Sequence, residues 1–199
     1  MADLIDRLLR GDVALVCQTA SGELTADAVR PTALLSGSFN PLHDGHLRLA
    51  DVASARLQRP VAFEMGLVNA DKAALSAAEL RHRLPQFMGR RDVWLTREPT
   101  FLDKSRLFPG AIFVVGQDTA ERVVEPRFYG SQEGALIALQ AFRQHGCRFL
   151  VAGRVCTDGQ FRTAEAVSVP AEFRDLFDGL SEAEFRSDIS STTIRGAKP

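Results

Sequence analysis

Residues 34–50 read Leu34-Leu-Ser-Gly37-Ser-Phe39-Asn-Pro41-Leu-His43-Asp-Gly45-His46-Leu-Arg-Leu-Ala50. Leu34 and Leu35 have the apolar character of a buried strand nearing its end. Gly37, Asn40 and Pro41 are turn residues, and Asp44 is placed to cap a helix continued by Leu47, Leu49, Ala50, Val52 and Ala53. A strand that feeds a helix through a tight turn aims backbone N–H groups and the positive end of the helix dipole at one point, which suits a phosphate. His43 and His46 are three residues apart and face that point together. Two imidazoles there can donate hydrogen bonds to a charged transition state. A histidine pair at a helix start is also ordinary surface chemistry, and spacing alone leaves both readings open.

The same alternation of strand and helix extends in both directions. Upstream, residues 2–9 form a short amphipathic helix ended by Gly11, and Asp12 to Cys17 read as a strand before a polar loop at Ser21-Gly22. This 1–30 segment has no assignable role; an added hairpin, an edge layer and the remnant of an upstream domain all fit. Residues 31–199 read as one domain. Val61 to Val68 is a second strand, followed by the polar loop Asn69-Ala-Asp-Lys72 at its carboxyl end, where ligands bind in open α/β sheets. Ser76-Ala-Ala-Glu79 is a capping box opening a helix that Pro85 ends or kinks. Val93-Trp94-Leu-Thr96 is a third strand, and a helix follows Glu98-Pro-Thr100. Ala111 to Val115, the most apolar strand, leads into Gly116-Gln-Asp118, which puts a carboxylate over the ligand side of the sheet or at a helix cap. A helix over 131–145 precedes a strand at Phe149 to Ala152. Thr157-Asp-Gly159 reads as a hairpin turn, so that the sheet finishes with an irregular or antiparallel element. The pattern predicts an α/β protein: a three-layer, Rossmann-like fold with a mainly parallel sheet.

Composition narrows the partners. The 199 residues carry 24 basic and 25 acidic side chains, so no bulk attraction to nucleic acid or to an anionic membrane is expected, and any phosphate site must be local. No stretch approaches the roughly 20 apolar residues of a membrane span, and Asp3, Asp6, Arg7 and Arg10 interrupt any signal-peptide core. Cys17, Cys147 and Cys156 lack metal-ligand spacing and read as reduced thiols of a cytoplasmic protein, with no protein-held metal expected. Self-association is compatible with the chain and is not specified by it.

Near the C-terminus stands Asp188-Ile-Ser-Ser-Thr-Thr-Ile-Arg195. Such a Ser/Thr run is a common helix cap. Its hydroxyls, the free N–H groups of a helix start and Arg195 one turn inside also suit a triphosphate. Together the two stretches resemble the paired motifs of the nucleotidylyltransferase superfamily. Gly37, Phe39, Pro41, His43, Gly45 and His46 match its G-x-F-x-P-x-H-x-G-H pattern, and residues 189–195 resemble its closing I-S-S-T-x-I-R. The resemblance covers about residues 32–195 and is greatest to the nicotinamide- or nicotinate-mononucleotide adenylyltransferases. It departs from them at Pro99-Thr100 and after Asp118.

That resemblance implies a transferase that moves the adenylyl group of ATP, accompanied by Mg²⁺, onto a phosphate-bearing small-molecule acceptor. The incoming phosphate is the nucleophile. It further implies His43, His46 and Arg195 as catalytic residues, and Gly37, Ser38, Phe39, Gly45, Ser191 and Thr192 as the ATP site. Asn69, Lys72, Trp94, Thr100 and Asp118 stand as acceptor contacts, although Lys72 is equally a solvated loop charge and a lone tryptophan in a strand, such as Trp94, is more often a core residue. A cytidylyltransferase, whose closing motif Arg186 to Thr193 echoes, and a non-catalytic nucleotide-binding module are the alternatives.

Overall fold

The computed structural model describes residues 3–68, 74–156, 158–187, 189 and 191–196, with the backbone alone at Thr192 and Thr193. Its centre is a run of parallel strands, each buried on both faces: β3 (Ala33–Ser36), β4 (Ala62–Gly66), β5 (Val93–Thr96), β6 (Ile112–Gly116) and β7 (Arg148–Ala152). Strands this apolar must be covered on both sides, which helical crossovers do. The coverings are α2 (Asp44–Leu57), α3 (Ala77–Arg83), α4 (Phe101–Leu107), α5 (Gln117–Val123) and α6 (Gln132–Gln144). Side chains alternate between faces along each strand. Leu35, Phe63, Met65 and Val114 enter one core with Leu49, Ala50 and Ala53 of α2, while Leu34, Phe113, Val115 and Phe149 enter the other with Phe142 of α6. The result is the three-layer α/β architecture, Rossmann-like and mainly parallel.

Strand order positions the site. Among the described residues the sheet runs β10-β7-β6-β3-β4-β5-β1-β2, so the chain winds from β3 to β5 in one direction and from β6 outward in the other. The reversal lies between β3 and β6, and the crevice at the carboxyl ends of these strands is where open α/β sheets take ligands.

The N-terminal residues complete one side of this frame. Helix α1 (Leu4–Arg10) starts at the Asp3 cap and ends at Gly11, whose φ of 86° suits glycine. It buries Ile5 and Leu8 in the same core as α2, and Arg81 of α3 ion-pairs with Asp3 and Asp6. The upstream strand begins later than its apolar residues indicate, as β1 (Leu15–Gln18), antiparallel to β5 and to the short β2 (Leu24–Thr25). At the other side the sheet ends on β10 (Phe177–Leu180), parallel to β7. The anticipated antiparallel element exists, but it is a separate pair, β8 (Arg154–Val155) with β9 (Phe161–Arg162). Asp178 and Gly179 interrupt the apolar pattern of β10, which is why no strand was read there. No helix among the described residues is long and apolar enough to cross a membrane.

Leu8 has no solvent exposure. Leu8→Ala therefore costs about 2–5 kcal/mol of stability. In urea unfolding the loss should appear within a single transition, whereas a loose N-terminal extension would leave the midpoint unchanged.

Candidate functional site

Between β3 and α2 the chain makes a loop whose shape is held by a phenylalanine. Phe39 adopts φ 44°, a left-handed conformation that a bulky residue takes only when its surroundings hold it. Those surroundings are edge-on contacts with His46, Phe63 and Phe87 at ring separations of 5.0–5.4 Å, and the side chain is 1% exposed. Gly37 belongs to the same packing, because a Cβ there would lie 2.9 Å from the Phe39 ring. Gln86, in the 3₁₀ turn after α3, clamps both ends of the loop. Its Nε2 donates to Phe39 O at 2.8 Å, and its Oε1 accepts from the Leu42 N–H at 2.7 Å. Arg83 donates to Ser38 O.

The C-terminal helix α7 (Ser191–Gly196) closes on the same loop from roughly 150 positions away. Ser191 Oγ donates to Pro41 O at 3.0 Å, and Arg195 Nη1 donates to Asn40 O. A Cβ on Gly45 would come within 2.7 Å of Ser187 Oγ and 3.0 Å of His43 Nδ1, so the glycine between the histidines admits the C-terminal segment. The two motifs thus meet through a handful of hydrogen bonds to loop carbonyls.

His43, with extended backbone, is the N-cap of α2; Asp44, expected as the cap, is instead the first helical residue. The imidazoles of His43 and His46 stack at 3.7 Å with planes 22° apart. The backbone N–H of His43 donates to His46 Nδ1 at 3.3 Å. A ring nitrogen that accepts carries no proton, so neutral His46 holds its proton on Nε2 and is a donor there. Burial, with the neighbouring His43, pulls His46 down to about 4. His43 is also lowered by burial, partly offset by Asp44. Both rings are neutral at pH 7, and His43 Nδ1 is buried without a hydrogen-bond partner among the described residues.

Beside the loop, at the strand-order reversal, lies a cleft of about 240 Å³. Ser36, Gly37 and Ser38 form its β3 side and Gly66 and Val68 its β4 side. Thr100, Phe101 and Lys104 come from the start of α4, and Arg122, Phe128 and Tyr129 close the opposite wall.

A family model described as cytidylyltransferase-like matches residues 34–197. The chain belongs to the cytidylyltransferase-like family. No curated protein sequence matches it significantly. Membership makes it a nucleotidylyltransferase of the wider superfamily.

In this cytidylyltransferase-like chain the sequence-derived site residues divide by location. Gly37, Ser38, Phe39, His43, Gly45, His46, Ser191 and Arg195 come together around one loop. Thr100 reaches the cleft as the N-cap of α4, its Oγ1 donating to Asp103 Oδ2 at 2.6 Å and accepting from the Asp103 N–H at 3.2 Å. Trp94 does not reach it: 1% exposed and edge-on to Phe108, it belongs to the core, because its strand position faces the α6 side of the sheet. Asp118 is also outside the cleft lining. It points outward from the first turn of α5 and pairs with Arg154, while Gly116 is the N-cap and Thr119 and Arg122 face the cleft. Asn69, Lys72 and the Thr192 side chain lie outside the described residues.

Sequence reasoning missed Gln86, Ser36, Arg122, Tyr129 and the pair Glu64–Lys104. A carboxylate between Phe63 and Met65 in a buried strand was a signal for the last of these. Nothing local distinguishes Gln86 from any other polar residue after a proline. Among the described residues, no group of three or more His, Cys, Asp or Glu side chains is placed to hold a metal ion.

The lowered pKa of His46 carries a stability consequence. Below about 6.5 the unfolded chain binds a proton on this imidazole that the folded chain refuses until about pH 4, so acidification over that interval favours unfolding. Urea midpoints measured between pH 7 and about pH 5 should fall, and fall less in His46→Gln. Equal slopes in the two proteins would show that His46 titrates normally.

Proposed function

We propose that this protein transfers the adenylyl group of ATP to the phosphate of a mononucleotide, nicotinamide or nicotinate mononucleotide, with release of pyrophosphate. The observation that carries the reading is the convergence on loop 37–42 of a neutral His46, protonated on Nε2, and the C-terminal Ser191 and Arg195. An acceptor phosphate oxygen attacks the α-phosphorus, the bond from that phosphorus to the bridging β-oxygen breaks, and pyrophosphate leaves. Charge accumulates on phosphate oxygens and no protein nucleophile is needed, so positioning and hydrogen-bond donation are the protein's contribution.

His46 Nε2–H donates to the α-phosphate and His43 to the α/β region, while the Gly37–Phe39 backbone and the close approach at Gly45 cradle the nucleotide. Ser191, Thr192 and Arg195 hold the β- and γ-phosphates. Mg²⁺ comes with the triphosphate, held through phosphate oxygens and water. The acceptor occupies the adjacent cleft, with Thr100 at its rim. The product on this reading is a pyridine dinucleotide.

Because the matching family is described as cytidylyltransferase-like, CTP is the second nucleotide to test. Pyrophosphate release decides between them. Release with Mg²⁺, ATP and one of the two mononucleotides is the expected result, reduced about 100-fold or more in His46→Ala, the usual loss for one preorganised donor. Release with CTP alone, or near-normal turnover by His46→Ala, overturns the assignment; nucleotide binding without any turnover makes the protein a binding module.

A further inference from the structure

Glu64, in the middle of β4, has no solvent exposure, yet it is fully partnered. Its Oε1 accepts from Thr96 Oγ1 at 2.7 Å and its Oε2 from Lys104 Nζ at 2.8 Å. Lys104 rises from α4 with its side chain 10% exposed and its ammonium 5.0 Å from the Phe101 ring centroid. Room for that ammonium depends on Gly66, where a Cβ would stand 3.3 Å from Nζ. A buried ion pair contributes little net stability compared with apolar side chains of the same volume, so stability alone does not account for this one.

Its position does. Lys104 lines the cleft, and its ammonium has three N–H groups, of which Glu64 takes one among the described residues. Ser36 lines the same cleft from the end of β3, and its Oγ is buried without a hydrogen-bond partner among the described residues. Around these two donors stand the rings of Phe101, Phe128 and Tyr129. The Tyr129 hydroxyl is already bonded to Val123 O at 2.7 Å. Aromatic walls around two under-used donors fit a planar ring bearing a hydrogen-bond-accepting oxygen.

We propose that Lys104 and Ser36 bind the exocyclic carbonyl oxygen of the acceptor's ring, and that Glu64 makes the cleft prefer an uncharged carboxamide over a carboxylate. The inference rests on the reading that the cleft takes a pyridine mononucleotide. Glu64 neutralises the ammonium, so a carboxamide oxygen finds its donors at small desolvation cost. A carboxylate would surrender its hydration to a pair of zero net charge, with the Glu64 carboxylate just behind it. Arg122, on the far wall with its guanidinium 5.7 Å from the Phe128 ring centroid, is the competing cation.

The test compares kcat/KM of the full chain for nicotinamide and nicotinate mononucleotides, with ATP saturating. Wild type should favour the carboxamide by about tenfold or more, as expected when a ligand charge goes uncompensated. Glu64→Gln leaves the ammonium un-neutralised and should move the ratio about tenfold toward the carboxylate. Ser36→Ala, which leaves the ion pair intact, should raise KM for the carboxamide about fivefold, the value of one hydrogen bond, with KM for ATP unchanged. Lys104→Met should raise it further.

A wild-type preference for the carboxylate overturns the proposal and points to Arg122. A ratio unmoved in folded Glu64→Gln, or acceptor KM unmoved in Ser36→Ala, overturns it as well. In each of those outcomes turnover persists and the functional reading stands. Absence of turnover with both mononucleotides overturns the functional reading and this inference with it.

Discussion

The site depends on the burial of one aromatic ring. Phe39 holds its own backbone at φ 44° because its side chain is locked between Phe63, Phe87 and His46. Every other feature of the loop is referred to that anchor. Gly37 is bare to admit the ring, Gln86 bonds the carbonyl of Phe39 and the amide of Leu42, and Ser191 and Arg195 meet the carbonyls between them. Burial of an apolar group thereby fixes polar geometry, and transition-state stabilisation requires that such donors be oriented beforehand. The same burial desolvates His46 and keeps it neutral.

The fold supplies the place where this loop is useful. Chain direction reverses between β3 and β6, so the loop after β3 and the helices after β5 and β6 open onto one crevice. On one side of the crevice stands the loop that carries the two neutral imidazoles, with Gly37 and Ser38 in the lining. On the other are aromatic rings and the Glu64–Lys104 pair. A transfer between two phosphate-bearing molecules needs two such neighbouring environments.

Much of the frame was legible because its signals are local. Strand runs such as Ala111 to Val115, the Ser76–Glu79 capping box and the motif around His43 and His46 are readable within a few residues, and the structure has each of them. The resemblance implies that Ser191 and Arg195 serve the same nucleotide as the loop, but no local pattern foretells their bonds to Asn40 and Pro41. What escaped reading depends on tertiary direction. Trp94 is as aromatic as a stacking residue, but the pleat turns it into the core. Asp118 is one residue, about 100° of helix rotation, from Thr119, which faces the cleft, and it pairs outward with Arg154. Gln86 and Lys104 act across 40 or more positions of sequence, where no periodicity speaks. Strand β10 was hidden by Asp178 and Gly179, which an edge position tolerates.

On the proposed function, the phenylalanine-anchored loop and the C-terminal helix together form one triphosphate site. Amide hydrogen exchange of the full chain, with and without saturating Mg²⁺ and ATP, tests it most directly. Exchange should slow in residues 37–46 and in residues 191–196 over the same range of nucleotide concentration. Protection confined to either segment, or nucleotide binding that leaves 37–46 unchanged, would contradict it.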